Sequence, residues 1–182
     1  MKKTRYVILG LLRDGSLTGY EIKKCIEVRM SFFWQESFGQ IYPELNALLN
    51  DGFVTETADE RKDNSRRKKK YAITAEGLSE FNRWMGEKNE KDTIRSESLL
   101  KLFLATDANA RDIVDQLNEM KKQNEEKLLL FAFYSKQLSE YADLHENHKY
   151  IHEVLSLGIR QCELYSSWSD SLLQRLKDGH LR

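Results

Sequence analysis

Apolar positions recur along this chain with two different periods, and the kind of element changes where the period does. Val7, Ile8, Leu11 and Leu12 make a helical stripe that ends at "RDGS". Thr18 has the chemistry of an N-cap, and Ile22, Cys25, Ile26 and Met30 mark the inner face of a second helix behind it. After an aromatic connector, "SFFWQESFG", Ile41, Leu45, Leu48 and Leu49 follow the i, i+4, i+7, i+8 spacing of one buried helix face, the cleanest helical signal in the sequence. "NDG" stops that helix, with Gly52 suited to a left-handed cap.

Past Gly52 the pattern alternates. "FVTETAD" is rich in β-branched residues, "ERKDNSRR" reads as a charged turn, and "KKKYAIT" places Tyr71 and Ile73 on one face and Lys70 and Ala72 on the other. This predicts a two-stranded hairpin. Thr74 opens a further helix, with Glu76 in the first turn, where the helix dipole favours an acid. Three helices followed by a hairpin is the order of a winged helix-turn-helix, in which the third helix enters the major groove and the hairpin is the wing.

From about residue 86 the chain changes to long helices. "TIRSESLLKLFLATD" reads as one, and the segments from Asn109 to Glu146 and from Tyr150 to Gly179 as two more. In the first long helix Ile113, Leu117, Met120, Phe131, Tyr134, Leu138 and Tyr141 form a seam interrupted by Asn124 and Lys127. Its centre, "LLLFAFY", is apolar nearly all round, and the last helix carries Ile151, Leu155, Ile159, Cys162, Leu172, Leu173 and Leu176. One intramolecular partner cannot cover so much apolar surface, which predicts a helical dimerisation domain. The expected architecture is therefore mostly α, with a winged helix-turn-helix over residues 1–88 and a long-helix dimerisation domain over 89–182.

The single proline, Pro43, falls near the start of the cleanest helix. Proline is tolerated in a first helical turn, where N–H groups have no intrahelical acceptor, so it places the helix start at about Gly39 or Gln40 with Ser37 or Gly39 near the cap. A helical wheel then turns Gln40, Pro43, Ala47 and Asn50 outward, flanked by Tyr42 and Asn46 on one side and Glu44 on the other. Gln and Asn can pair with adenine and a small apolar group can touch a thymine methyl, so this face suits base readout, although such a face on an isolated helix is more often simply solvated. Seven basic residues and one acid fill "RKDNSRRKKK", a net charge of +6 at the hairpin tip. Following a helix-turn-helix pattern, that tip is suited to straddling phosphates.

"YVILGLLRDGSLTGYEI", "GQIYPELNALLNDGFV" and "KKKYAITAEG" closely resemble the PadR-like transcriptional regulators. "TIRSESLLKLFLA" with the two long helices is similar to the C-terminal domain of that family's longer members, so the resemblance spans essentially the whole chain. It implies a homodimeric repressor that binds pseudo-palindromic double-stranded operators, with many members released by a small effector such as a phenolic acid or a hydrophobic drug. By position it implies Gln40, Tyr42 and Pro43 at the start of the recognition helix, and Thr18 and Tyr20 facing phosphates from the preceding helix. Arg66, Arg67, Lys68, Lys69 and Lys70 fall in the wing. Family wings often carry Gly and Pro near the tip, where this chain has Asp63, Asn64 and Ser65.

Composition narrows the alternatives. The chain is neutral overall, yet residues 1–85 hold 15 basic and 12 acidic side chains, leaving a net −3 on the rest. No apolar run has membrane-spanning length, and Cys25 and Cys162 make no disulfide framework, so a soluble, cytoplasmic protein is expected. Both cysteines read as apolar fillers. His145, His148 and His152 lie together, and two of them stand four apart, but no zinc signature accompanies them and no metal or cofactor is expected. Trp34, Trp84, Phe131, Phe133, Tyr134, Tyr165 and Trp168 are either core or walls of an effector pocket. No phosphate loop or nucleophile motif argues for an enzyme. The readings left are a sequence-specific regulator, a non-specific structural DNA-binding protein, and a helical module whose winged domain binds protein.

Overall fold

A computed structural model describes residues 3–58, 69–140 and 147–179. The chain divides into two compact units, Met1–Lys91 and Asp92–Arg182.

The first unit runs α1 (Thr4–Leu12), β1 (Leu17–Thr18), α2 (Gly19–Arg29), α3 (Phe38–Asn50), β2 (Val54–Ala58), β3 (Lys69–Ile73) and α4 (Ala75–Met85). The predicted hairpin forms, with Val54 opposite Ile73 and Glu56 opposite Tyr71. A third strand was not expected. Leu17 pairs with Tyr71 and Thr18 with Lys70, giving an antiparallel sheet in the order β1-β3-β2. Two residues are too short to show an alternation, so β1 left no periodic signal.

Ile8, Leu9, Leu12, Ile22, Ile26, Ile41, Leu45 and Leu48 close the core with Tyr6, Val54, Tyr71 and Phe81. On α1 the buried set is Thr4, Tyr6, Ile8, Leu9 and Leu12, while Val7 and Leu11 are only half-buried. The expected stripe was thus displaced, because α1 packs against both α3 and α4 and is covered on more than one side. Tyr6 stacks on Trp84 at 4.5 Å and donates its hydroxyl to Glu80 at 3.0 Å, joining α1 to α4.

The segment "YAITAEG" explains itself in this unit. Tyr71 is buried, and the Thr74 hydroxyl accepts from Gly77 N while donating to the Gly52 carbonyl. Thr74 N donates to the Phe53 carbonyl at 3.0 Å. Gly77 presses against that same peptide: a Cβ there would lie 2.0 Å from the Phe53 oxygen. Gly52 takes the expected left-handed conformation, at φ +73°.

The second unit contains α5 (Glu97–Leu104), a 3-10 turn (Asp107–Asn109), α6 (Ala110–Glu140) and α7 (His148–Lys177). α5 is shorter than the "TIRSESLLKLFLATD" reading. It starts only at Glu97, where Ser96 caps it by accepting from Leu99 N. α6 and α7 pack along a seam in which Ile113, Leu117, Phe131, Leu155, Cys162, Leu172 and Leu173 are buried. Tyr141, expected on the same seam, lies outside the described residues. Asn124 does not break the seam, since its amide donates to the Met120 carbonyl at 2.7 Å and the residue is buried. Lys121 pairs across the helices with Asp170 at 2.8 Å. Among the described residues, no helix is long and apolar enough to cross a membrane.

Candidate nucleic-acid interface

Two N-termini build the site, and each is fixed by a capping box. At α2, Glu21 N donates to the Thr18 hydroxyl while Thr18 N donates to the Glu21 carboxylate at 2.7 Å. Thr18 is therefore buried, and its side chain is committed to the cap. Tyr20, two residues on, stands outward.

At α3 the cap is Ser37, and Gln40 answers it. The Gln40 side-chain oxygen accepts from Ser37 N at 2.9 Å and from the Ser37 hydroxyl at 2.8 Å. Both lone pairs of that oxygen are thereby used, so the bidentate pairing with adenine expected from a free glutamine would need the cap to open. What Gln40 offers outward is its amide N–H.

Starting α3 at Phe38 corrects the reading of Pro43. It is the sixth helical residue, inside the helix rather than in its first turn, and it leaves the Gly39 carbonyl without its i+4 donor. Of the two candidate caps, Ser37 and Gly39, the earlier one closes the helix, which starts one or two residues before the expected position. Pro43→Ala should restore the missing bond and raise stability by about 1–3 kcal/mol, read as a higher thermal midpoint. An unchanged or lower midpoint would show that the pyrrolidine ring itself packs favourably.

Gln40, Tyr42, Pro43 and Asn46 are exposed and Ala47 is half-buried, so the outward face of α3 is where the wheel put it. Glu44 is not on it: its carboxylate is buried and lies 3.3 Å from the Arg5 guanidinium on α1. Arg5 also holds Asp51 at the other end of α3. Behind the cap, Glu36 is buried and accepts from the Thr4 hydroxyl and the Trp34 indole, both at 2.9 Å, tying the aromatic connector to α1. No periodic signal in the sequence marks Glu36.

Tyr42 packs closely on Gly19, where a Cβ would fall 2.6 Å from the ring. This close approach joins the first turn of α2 to α3. Phe38, absent from the sequence reading of the site, stands between Tyr20 and Tyr42.

On the wing, Lys69 donates to Glu56 at 3.0 Å, and that bond lifts the ammonium pKa above its ordinary value. Arg66, Arg67 and Lys68 lie outside the described residues, as do Asp63, Asn64 and Ser65 of the expected turn. His145 also lies outside them, and among the described residues no group of three metal-ligating side chains gathers. Burial pushes the Cys25 and Cys162 thiols up, away from the thiolate that redox chemistry requires.

Helices α2 and α3, each closed at its N-terminus by a capping box, and the β2–β3 hairpin that follows them define a winged helix-turn-helix DNA-binding protein. Residues 8–83 match the Transcriptional regulator PadR-like family and residues 94–177 the family described as Virulence activator alpha C-term. The chain thus carries a PadR-like transcriptional regulator domain followed by a Virulence activator alpha C-terminal domain.

It is 28% identical over 177 residues to the Negative transcriptional regulator PadR of Bacillus subtilis, covering 95% of this chain and 97% of that one. The PadR-like transcriptional regulator BC1756 from Bacillus cereus superposes with a TM-score of 0.81 at 26% identity, covering 97% of this chain and 99% of that one. Bacillus subtilis PadR in complex with operator DNA superposes at 0.78, with 26% identity and coverage of 94% and 98%. The same protein has also been crystallised with p-coumaric acid.

Proposed function

We propose that the chain is a homodimeric, sequence-specific repressor acting in the cytoplasm. In this reading residues 1–88 bind a pseudo-palindromic operator and the helices of residues 89–182 dimerise. Tyr20, Gln40, Tyr42, Pro43, Asn46 and Ala47 meet the DNA, with Thr18 holding the end of α2 towards the phosphates. The wing residues Arg66, Arg67, Lys68, Lys69 and Lys70 hold the backbone.

The observation that carries this is the chemistry of the α3 face. It presents uncharged hydrogen-bonding groups on Gln40, Tyr42 and Asn46, whereas a protein that merely coats DNA needs cations there. The operator complex of Bacillus subtilis PadR supports the reading, and its p-coumaric acid complex supports release by a small phenolic or hydrophobic effector.

Dimerisation is supported by apolar surface that the second unit leaves uncovered. Leu129 and Phe133 on α6 are exposed, and so are Tyr150, Val154, Leu157 and Leu164, which share one face of α7 at heptad-like steps. Sedimentation at micromolar concentration should give twice the 21.4 kDa chain mass. A footprint on the region upstream of its own gene should then show two half-sites about 34 Å apart. A monomeric mass would overturn the dimer, and a single unpaired protected site would overturn the palindrome.

A further inference from the structure

The first turns of α2 and α3 leave three aromatic rings in a row at the surface. Tyr20 is 57% exposed, Phe38 43% and Tyr42 44%. The Phe38 ring lies 6.5 Å from that of Tyr20 and 5.9 Å from that of Tyr42, with interplanar angles of 15° and 23°. The Lys23 ammonium, itself paired with Glu27, sits 6.0 Å from the centre of the Phe38 ring.

The row is held in place from both sides. Tyr42 has no room to retreat because it already lies on Gly19. Phe38 is the first residue of α3, directly after the Ser37 cap that Gln40 closes. Its ring is therefore presented at a fixed height on the end of the helix that leads into the groove.

The two tyrosines carry hydroxyls and can serve phosphates or base edges. Phe38 has no hydrogen-bonding atom, so it can neither hold a phosphate nor read a donor or acceptor. Major-groove base edges present one apolar group, the 5-methyl of thymine. We propose that Phe38 is a specificity-determining residue that packs on a thymine methyl in each half-site, flanked by the Tyr20 hydroxyl on the backbone and the Tyr42 hydroxyl on a base edge.

This rests on the DNA-binding reading of α3. Burying one methyl group against a ring changes affinity roughly fourfold, so a dimer meeting two half-sites should discriminate roughly 10- to 20-fold. Uracil keeps every hydrogen-bonding group of thymine and lacks only the methyl.

The test amplifies the chain's own upstream region once with dTTP and once with dUTP, and titrates both fragments with the full-length protein and with Phe38→Ala. Wild type should prefer the thymine fragment by at least roughly 10- to 20-fold, and Phe38→Ala should lose a factor of about that size, any preference left coming from methyl contacts of Ala47. Phe38→Gln, with an exposed side chain of similar reach, should behave like the alanine variant and serves if that variant folds poorly. Equal binding of both fragments by wild type, or a variant that keeps the wild-type ratio, would overturn the role of Phe38 while leaving DNA recognition by α3 standing. No binding of wild type to either fragment would overturn both.

Discussion

Gln40→Glu is expected to leave the first unit as stable as before while weakening operator binding by about 100-fold or more. Glutamate serves at the third position of a capping box as well as glutamine does, because the cap needs only the side-chain oxygen. In this chain that oxygen accepts from Ser37 N and from the Ser37 hydroxyl, and both bonds survive the exchange. What disappears is the outward N–H, and what replaces it is a negative charge facing a polyanion. At about 1.4 kcal/mol for each of two half-sites, the losses multiply to about 100-fold. Fluorescence anisotropy with a thermal melt on the same sample separates the two roles. Gln40→Ala should lower both affinity and midpoint, the latter by about 1 kcal/mol of lost capping. Wild-type affinity in Gln40→Glu would mean that the N–H never meets DNA.

Gly77→Ala should have the largest effect on stability. The new Cβ would lie 2.0 Å from the Phe53 oxygen, 2.9 Å from its carbon and 3.1 Å from the Ile73 side chain. Two of those atoms are backbone, so no side chain can swing aside to make room. Relief requires moving α4 off the base of the hairpin, where Thr74 is bonded to both Gly52 and Phe53. A loss of about 3 kcal/mol or more is expected, lowering the midpoint of the first unit by about 10 °C or more. Calorimetry of the full chain should show it, and an unchanged transition would mean that the α4–hairpin junction is looser than this geometry.

Much of the fold could be read from period alone, because α2, α3 and the hairpin each bury one face and solvate the other. The α3 face was readable for that reason, and Glu44 was misassigned because a wheel knows nothing of Arg5 waiting on α1. Phe38 was missed for a related reason. Its spacing of three and seven residues before Ile41 and Leu45 aligns it with the core stripe, yet the first turn of α3 extends past the core and exposes the ring. Pro43 was read as a first-turn residue because composition could not say which of two candidate caps, Ser37 or Gly39, closes the helix. Hydrogen bonding decided it in favour of Ser37. β1 and Glu36 depend on partners far along the chain, Tyr71 for one and Thr4 for the other, and no local pattern encodes them.

Sequence-specific recognition by α3 is tested most directly by titrating the full chain with a fragment of its own upstream region and with shuffled DNA of equal length and composition at 0.15 M salt. A specific regulator should bind the upstream fragment at least about 1,000-fold more tightly. Equal affinities for the two would contradict it and leave a protein that coats DNA without reading it.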